Sequence, residues 1–165
     1  MSLLVEPLRR DHSVEQFACG EPQLDEFLVR FALTSQQANT SRTYLALSDG
    51  IVAGYYTLVA SEVAHAHSPE RLTKGIARHP IPLMLLARLA VRTDFQGRKL
   101  GAALLADAMK RTLEASQILG IRALAVHAKN EAAEKFYLHF GFIPSPVDPR
   151  HLYLLLKDVQ RIVAR

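Results

Sequence analysis

Apolar residues recur with two different periods along this chain, and the change of period separates strands from helices. The runs "TYLALS" (43–48) and "IVAGYYTLVA" (51–60) are strand-like, and Asp49–Gly50 between them is typical of a two-residue hairpin turn. In 22–38, by contrast, apolar residues follow the i, i+3, i+4, i+7 spacing of a helix. The nearly continuous apolar run "IPLMLLARLAV" (81–91) predicts a strand near the centre of a sheet.

The whole chain extends this pattern into the order β-α-β-β-β-α-β-α-β, which predicts an α/β fold with a mixed central sheet of about six to seven strands flanked by helices. The predicted strands cover 3–8, 43–48, 51–60, 81–91, 122–128 and 151–158, and the predicted helices cover 22–38, 101–116 and 130–140. We expect 61–80 to be irregular with a helical turn, and 159–165 to be a helical turn or a frayed end. Because no repeat or linker-like stretch interrupts the pattern, residues 1–165 are predicted to form a single domain.

The composition narrows the class of protein. The chain has 165 residues, of which 49% are hydrophobic and 22% charged, as in ordinary soluble domains. No apolar run is long enough to span a bilayer, and the N-terminus lacks a signal-peptide pattern. The single cysteine, Cys19, excludes an internal disulfide and a cysteine-cluster metal site. We therefore expect a cytoplasmic protein without membrane association and without a bound metal, and we expect His65, His67 and His79 to be surface residues.

Positive charge is concentrated in one part of the sequence. The net charge is +4, but the window 71–99 contains seven basic residues and one acid, Asp94. Such a window suits a polyanionic partner, either nucleic acid or a phosphorylated cofactor. A solvated, solubilising face is the alternative.

The stretch "RTDFQGRKLG" (92–101) joins the predicted central strand to a helix through a glycine-containing turn. The first N–H groups of a helix lack intrahelical partners and, together with the helix dipole, favour an anion such as phosphate. Glycine lets the backbone approach a ligand closely, and Arg98 and Lys99 add positive charge. The turn is therefore a candidate pyrophosphate site, although similar turns also occur without a ligand.

Within this turn, "QGRKLGAALL" (96–105) resembles the acyl-CoA signature of the GNAT superfamily of N-acetyltransferases. Gln96, Gly101 and Ala102 match the signature, whereas Lys99 stands where the signature has glycine. The resemblance implies a GNAT fold that binds acetyl-CoA as cosubstrate, with backbone N–H groups at the end of the central strand holding the pantetheine arm and polarising the acetyl carbonyl. The cofactor-binding residues that it implies are Leu89, Ala90, Val91, Gln96, Gly97, Arg98, Lys99, Gly101, Ala102, Asn130, Ala133 and Phe136.

A second segment, "NEAAEKFYLHFGF" (130–142), resembles the helix and turn that follow in the same superfamily. The resemblance implies that Tyr137 is catalytic, lying near the thioester sulfur and protonating the leaving thiolate. Asn130 is expected to cap the helix or to contact the cofactor as well. Few carboxylates are placed to act as a base, and the best of them, Glu62 and Glu134, are also explained as surface residues. That shortage favours an α-amine acceptor over a lysine side chain. The pKa of an α-amine lies near 8, and lower still when its carboxyl is an ester, whereas that of lysine is about 10.4.

Four stretches together, "CGEPQLDEFL" (19–28), "VAGYYTL" (52–58), "IPLMLLARLAV" and "KFYLHFGF" (135–142), resemble the GNAT toxins of bacterial toxin–antitoxin pairs. The resemblance implies acetylation of the α-amine of aminoacyl-tRNA, which blocks translation, and a ribbon-helix-helix antitoxin as partner. A homodimer is a candidate assembly. The residues expected to hold charged tRNA are Arg42, Arg71, Lys74, Arg78, Arg88 and Arg92.

Two other functions remain open from the sequence. A GNAT enzyme could acetylate a peptide N-terminus or a small amine, although such an enzyme has little use for the basic window. Alternatively, Lys99 could mark a degenerate site in a non-catalytic protein that binds CoA or nucleic acid. Arg88, which interrupts an apolar strand, is expected either to pair with an acid or to face a polar cleft, because an unpaired buried guanidinium is very costly.

Overall fold

The computed structural model describes residues 3–165. Its strands are β1 (Leu4–Pro7), β2 (Arg42–Ser48), β3 (Ile51–Val63), β4 (Ile81–Val91), β5 (Ala123–His127), β6 (Ile143–Pro144) and β7 (His151–Leu155). Its α-helices are α1 (Pro22–Glu26), α2 (Ala32–Gln37), α3 (Glu70–Thr73), α4 (Leu100–Ser116), α5 (Glu131–His139) and α6 (Leu156–Val163). A π-helical segment, Phe27–Phe31, joins α1 to α2, and two 3-10 turns cover His65–His67 and Thr93–Phe95.

The strands form one mixed sheet in the order β1-β2-β3-β4-β5-β7-β6. β4 and β5 are parallel, whereas β1 with β2, β2 with β3, β5 with β7, and β6 with β7 are antiparallel. The predicted α/β class and the predicted number of strands are therefore confirmed. β4 lies fourth of the seven strands, at the centre of the sheet, as its continuous apolar pattern indicates.

The predicted hairpin is also confirmed. Ser48 pairs with Ile51 across the turn, and Asp49 and Gly50 have φ angles of 49° and 78°. Positive φ at both central residues defines a type I′ turn, whose twist matches that of the two strands.

The described residues form two compact units. The first comprises the residues up to Val59 together with Ala87–Ala108. Gly54 of β3 lies in close packing, because a Cβ there would come within 2.9 Å of both the Ala90 carbonyl oxygen and Leu104 Cδ1. The buried Tyr56 hydroxyl donates a hydrogen bond to the Asp107 carboxylate and ties α4 to β3. These contacts fix the helix that follows the glycine-containing turn.

The second unit comprises Ala60–Leu86 and Met109–Arg165. Its core contains Leu72 of α3, Ile81 of β4, Ala123 of β5 and Leu155 of β7. Arg122, just before β5, donates from its guanidinium to the carbonyl oxygens of Leu72 (2.9 Å), Lys74 (3.3 Å) and Arg71 (3.4 Å). Arg122 therefore fastens the short α3 segment to the start of β5.

Four stretches differ from the predicted elements. β3 continues to Val63, and the rest of 61–80 contains a 3-10 turn and α3. The strand predicted over 151–158 ends at Leu155, and α6 begins at the next residue, with Val159 fully buried. The π-helical segment Phe27–Phe31 interrupts the predicted helix 22–38, and β6 was not predicted at all.

Candidate active site

Residues 92–99, which we call the glycine loop, connect β4 to α4 within the first unit. Gly97 and Lys99 both lie in the left-handed region, with φ angles of 80° and 62°. This conformation is natural for glycine and uncommon for a residue with a Cβ. Lys99 therefore keeps the backbone path that glycine would give at this position of the GNAT signature. The departure from the signature changes the side chain and leaves the turn in place.

The side chain of Gln96 holds the glycine loop against its own unit. Its amide donates to the Val91 carbonyl oxygen (2.9 Å) and to the Cys19 carbonyl oxygen (3.0 Å). The Thr93 N–H also donates to the Ala18 carbonyl oxygen (2.9 Å). Gln96, predicted to contact the cofactor, thus braces the loop with its amide group.

The N-terminus of α4 and the loop together present positive charge. The Ala103 N–H donates to the Lys99 carbonyl oxygen, so Gly101 and Ala102 lie in the first turn, where amides have no acceptor within the helix. Leu100, only 2% exposed, anchors that turn in the core. Arg98 and Lys99 are exposed, and the Arg98 guanidinium lies 5.2 Å from the centre of the Phe95 ring. This arrangement is suited to binding a phosphate group.

The end of β4 directs alternate amides to opposite sides. The Arg92 N–H donates to the Ala53 carbonyl oxygen of β3 (2.8 Å). Because N–H groups alternate along a strand, those of Leu89 and Val91 point away from β3, while that of Ala90 points towards it. The register of β4 with β5 ends at Leu86–Val126, and β4 continues to Val91 beyond that pair. The Leu89 and Val91 amides are therefore the ones aimed away from the antiparallel part of the sheet.

Tyr137 belongs to the second unit and lies on α5. Its side chain is buried, and its ring makes edge-on contacts with Phe136 (centroids 5.1 Å apart) and Phe142 (5.3 Å). Burial raises the pKa of Tyr137 to about 12. Among residues 3–165 the hydroxyl has no hydrogen-bond partner, yet it is not one of the fully enclosed polar atoms. Tyr137 therefore keeps its proton at neutral pH and can offer it to a group outside the protein.

The N-terminus of α5 is built around Asn130. The Asn130 side-chain oxygen accepts a hydrogen bond from the Ala133 N–H (2.9 Å), so Asn130 is the N-cap residue. Phe136 is half-buried and packs against Phe140, with ring centroids 5.1 Å apart. The Glu134 carboxylate lies 3.5 Å from the Arg150 guanidinium, and this ion pair makes Glu134 a poor candidate for a catalytic base.

The six basic residues predicted to bind tRNA have different surroundings. Arg42 closes the turn after α2 through hydrogen bonds to Gln36, Asn39 and Ser41. Arg71 pairs with Asp158 (2.9 Å), and Arg92 pairs with Asp94 (3.0 Å). The Arg88 guanidinium lies 3.6 Å above the centre of the Phe27 ring, and this cation–π contact takes the place of the acidic partner among residues 3–165. Lys74 and Arg78 are exposed and form no ion pair within residues 3–165.

A cavity of about 510 Å³ lies within the second unit and was not predicted from the sequence. Its polar lining includes Glu62, His67, His127, Asp148, His151 and Tyr153. We call it the histidine cavity. Its only sequence signal was the pair of histidines at the end of one predicted strand and the start of another, and the antiparallel register that places them opposite each other is visible only in the structure.

Residues 39–144 match the family described as acetyltransferase (GNAT) domain. This span covers more than half of the sequence, and the glycine loop lies within it. The chain belongs to the GNAT acetyltransferase family, and the family predicted from the two motifs is confirmed. No helix in the described part of the chain is long and apolar enough to cross a membrane, and residues 3–165 contain no group of three or more side chains arranged to hold a metal ion.

Several relatives are similar over nearly the whole chain. The "tRNA-acetylating toxin" of Mycobacterium tuberculosis is 43% identical over 150 residues, which are 91% of this chain and 90% of the relative. The structure of AtaT complexed with acetyl-methionyl-tRNAfMet superposes with a TM-score of 0.90 at 33% identity, covering 98% of this chain and 99% of AtaT. A tyrosine-to-phenylalanine variant of AtaT, bound to the C-terminus of the antitoxin AtaR and acetyl-CoA, gives a TM-score of 0.84 at 31% identity over 100% of both chains. The predicted similarity to GNAT toxins is therefore confirmed.

Proposed function

We propose that this protein transfers the acetyl group of acetyl-CoA to the α-amine of aminoacyl-tRNA and acts as a toxin that blocks translation. The observation that carries the proposal is the glycine loop at the start of α4. It has the anion-binding backbone of an acyl-CoA site and belongs to a chain 43% identical to a tRNA-acetylating toxin. The proposal treats residues 1–165 as a single acetyltransferase domain.

The residues of the glycine loop fit the pyrophosphate of acetyl-CoA. The first-turn amides of Gly101 and Ala102 donate to phosphate oxygens, and the left-handed Gly97 leaves the approach open because a Cβ there would meet nothing within 4 Å. Arg98 and Lys99 add two positive charges. Gln96 keeps the loop in this shape through its two hydrogen bonds. Asn130, Ala133 and Phe136 would contact the cosubstrate from α5.

The transfer then needs hydrogen-bond donors for the acetyl carbonyl and a proton donor for the leaving sulfur. The Leu89 and Val91 amides hold the pantetheine arm and polarise the acetyl carbonyl, and one such donor to a developing oxyanion contributes about 3 kcal/mol to catalysis. Tyr137 donates its proton to the thiolate that leaves as the carbonyl is attacked. Burial raises the pKa of Tyr137 to about 12, so the proton is present at neutral pH, although the raised pKa also makes the phenol a weaker acid.

We further propose that charged tRNA binds through basic side chains, with Lys74 and Arg78 as the main contributors. Their ammonium and guanidinium groups form no ion pair within residues 3–165, so binding to phosphate breaks no existing bridge. Arg42, Arg71, Arg88 and Arg92 would contribute less, because each already has a partner.

The expected biological setting is part of the same proposal. We propose that a ribbon-helix-helix antitoxin holds the protein inactive in the cytoplasm, and that a homodimer is one form of its assembly. The complex of AtaT with AtaR supports the antitoxin. Co-expression with the protein encoded by the neighbouring gene should give a complex that co-purifies, and separate elution of the two chains would count against it.

The decisive experiment follows labelled acetyl groups. Labelled acetyl-CoA is incubated with the protein and a pool of charged tRNA, with uncharged tRNA, free amino acids and peptides as parallel acceptors. We expect label on charged tRNA alone. The variant Gly101→Glu, which places a carboxylate at the proposed phosphate site, should lose acetyl-CoA binding and transfer together. Label on peptides or free amines would instead support the small-amine enzyme, and acetyl-CoA that fails to bind would support a degenerate site.

A further inference from the structure

The histidine cavity has walls from four parts of the second unit. Leu83 and Leu85 of β4 form an apolar wall, and Tyr153 of β7 extends it. The hydroxyl of Ser145, 6% exposed, donates to the His67 carbonyl oxygen (2.9 Å) and accepts from the Val147 N–H (3.2 Å). Ser145 therefore fastens the turn before β7 to the turn after β3, so that the cavity is formed before any ligand arrives.

Two imidazole rings stand against each other in this cavity. His127 and His151 are register partners at the β5–β7 edge, and their rings stack with centroids 3.9 Å apart at an angle of 15°. The His151 Nε2 atom lies 3.4 Å from Asp148 Oδ2. Two imidazolium ions at this separation would repel each other, so the stacked arrangement disfavours a charge on both rings.

The charge of the cavity is opposite to that of the chain. Glu62 and Asp148 line it, and within the described part of the chain its lining includes no lysine or arginine. The protein as a whole carries +4. Such a cavity repels phosphate and suits an organic cation, with its apolar wall available for a side chain.

One further polar group opens into the cavity. The Tyr153 side chain is 3% exposed, and its hydroxyl has no hydrogen-bond partner among residues 3–165. It is nevertheless not one of the fully enclosed polar atoms, so it opens into the cavity that Tyr153 lines. A buried hydroxyl without a protein partner is costly unless a ligand or water satisfies it, which makes Tyr153 a contact for a polar ligand group.

We propose that the histidine cavity binds the amino acid end of the acceptor and that the His127–His151 pair accepts the proton that the α-ammonium must lose before it can react. The inference rests on the proposed acetyl transfer. The histidine pair acts as the base in place of the two carboxylates considered from the sequence, Glu62 and Glu134. Glu62 lines the cavity and attracts the ammonium, whereas Glu134 is paired with Arg150.

The proton balance of the step is complete. The ammonium gives one proton to an imidazole nitrogen of the pair, and the freed nitrogen lone pair forms the C–N bond to the thioester carbonyl carbon. As the C–S bond breaks, Tyr137 gives its proton to sulfur. The nitrogen then loses a second proton, which restores the Tyr137 hydroxyl. The products are an amide, a thiol and an imidazolium that returns its proton to solvent.

The electrostatics of the pair agree with this role. Burial lowers the pKa of His127, the neighbouring His151 lowers it further, and Asp148 opposes the shift. His127 is therefore neutral near pH 7 and able to accept a proton. The other titratable groups that line the cavity are Glu62, His67 and Tyr153.

The test compares rates at two pH values. Single-turnover acetyl transfer to aminoacyl-tRNA is measured at saturating acetyl-CoA for wild type, His127→Gln and His151→Gln. At about pH 6.5, where the acceptor is an ammonium, we expect His127→Gln to be about 10²-fold slower than wild type. At about pH 8.5 the amine is already neutral, and the difference should shrink to a few-fold. Added imidazole should restore part of the rate of His127→Ala at the lower pH.

His79→Gln is the matched control, because His79 is exposed in the 61–80 segment and does not line the cavity. It should equal wild type at both pH values. A loss in His127→Gln that is the same at both pH values, or a lack of rescue by imidazole, would overturn the assignment of the base.

A binding measurement on the wild-type protein separates this inference from the proposed function. Glycinamide, a stable mimic of the aminoacyl ester, is titrated while the histidine ring protons are followed by NMR. We expect the His127 and His151 signals to move and the His79 signal to stay. If glycinamide moves them but no tRNA is acetylated, the cavity binds an amine and the proposed tRNA substrate is wrong. If tRNA is acetylated and the rings do not respond, the amine-binding cavity is wrong.

Discussion

Tyr137 is the residue on which the proposed chemistry depends most directly. At neutral pH its hydroxyl carries a proton, which the proposed step transfers to the leaving thiolate. Tyr137→Phe removes the proton and keeps the ring that packs against Phe136 and Phe142. We expect turnover to fall by about 10²-fold while the dissociation constant for acetyl-CoA stays unchanged. Steady-state rates and equilibrium binding of acetyl-CoA measure the two effects.

The control for this variant is Tyr44→Phe. It removes a hydroxyl from β2 in the first unit, where Tyr44 stacks on Tyr56, and it should leave turnover unchanged. Equal turnover in wild type and Tyr137→Phe would remove Tyr137 from the mechanism. A loss of acetyl-CoA binding in Tyr137→Phe would assign it a structural role.

Lys99 combines a strained backbone with a useful charge, and two substitutions separate these contributions. Lys99→Ala removes the charge and keeps a Cβ at φ 62°, whereas Lys99→Gly removes both the charge and the Cβ. We expect Lys99→Gly to be more stable than Lys99→Ala by roughly 1 kcal/mol, since a Cβ in the left-handed region costs about that much. Urea denaturation followed by circular dichroism measures the difference.

Acetyl-CoA binding by the same two variants tests the charge of Lys99. Both should bind more weakly than wild type at low salt, and the gap should narrow as salt screens the attraction to phosphate. A gap that does not change with salt would mean that Lys99 does not act on the pyrophosphate. A stability equal in the two variants would mean that the loop relaxes around alanine.

At the scale of elements, α3 is too short to be stable alone, and Arg122 compensates for this. Its guanidinium binds three carbonyl oxygens in or next to α3. Arg122→Ala leaves these acceptors without their donor, and we expect a loss of about 1–3 kcal/mol of local stability. Hydrogen exchange followed by mass spectrometry should show faster exchange across residues 70–76, with exchange in β2 unchanged.

Arg122→Lys sharpens this prediction. Lysine keeps the positive charge but lacks the planar fork that reaches several carbonyls at once. Exchange in 70–76 should therefore be nearly as fast as in Arg122→Ala. If Arg122→Lys instead exchanges like wild type, the charge alone holds α3.

The elements that the sequence predicts well are those whose signals are local. The Asp49–Gly50 hairpin, the central strand β4 and the start of α4 next to Gly101 each depend on residues within a few positions of one another. The end of β7 was predicted wrongly because the apolar run in 151–158 is compatible with a strand or a buried helix. In the structure the strand ends at Leu155, and α6 follows with Val159 buried. The π-helical segment Phe27–Phe31 could not be predicted, because its apolar spacing fits a regular helix equally well.

At the scale of the molecule, the same distinction separates the two candidate sites. The glycine loop and the helix that carries Tyr137 could be located in the sequence because each lies inside one continuous motif. The histidine cavity could not, since His127 and His151 come together only through the pairing of β5 with β7, and Glu62 is supplied by the extension of β3. The proposed base therefore could not be predicted from the residues in and near the two motifs.

One buried thiol and three buried phenols link the stability of the protein to pH. Burial raises the pKa of Cys19 from 9.0 to about 11 and that of Tyr137 from 10.0 to about 12, and it raises the pKa of Tyr55 and Tyr153 as well. Above about pH 9 the native state therefore binds more protons than the unfolded chain. The free energy of unfolding should be fully retained below pH 9 and should fall as pH rises through 11 and 12.

Tyr55→Phe tests this explanation, because it removes a phenol that is 0% exposed and leaves the ring in the core. The variant loses the hydrogen bond from Tyr55 to the Leu24 carbonyl oxygen, so it should be less stable than wild type by about 1 kcal/mol at pH 8. Its free energy of unfolding should then decline less steeply as pH rises above about 10, since one group with a raised pKa is gone. Urea unfolding at several pH values gives both slopes. Parallel slopes would show that Tyr55 does not contribute to the alkaline loss of stability, and a flat wild-type profile would show that the buried phenols and the thiol titrate without opposing the fold.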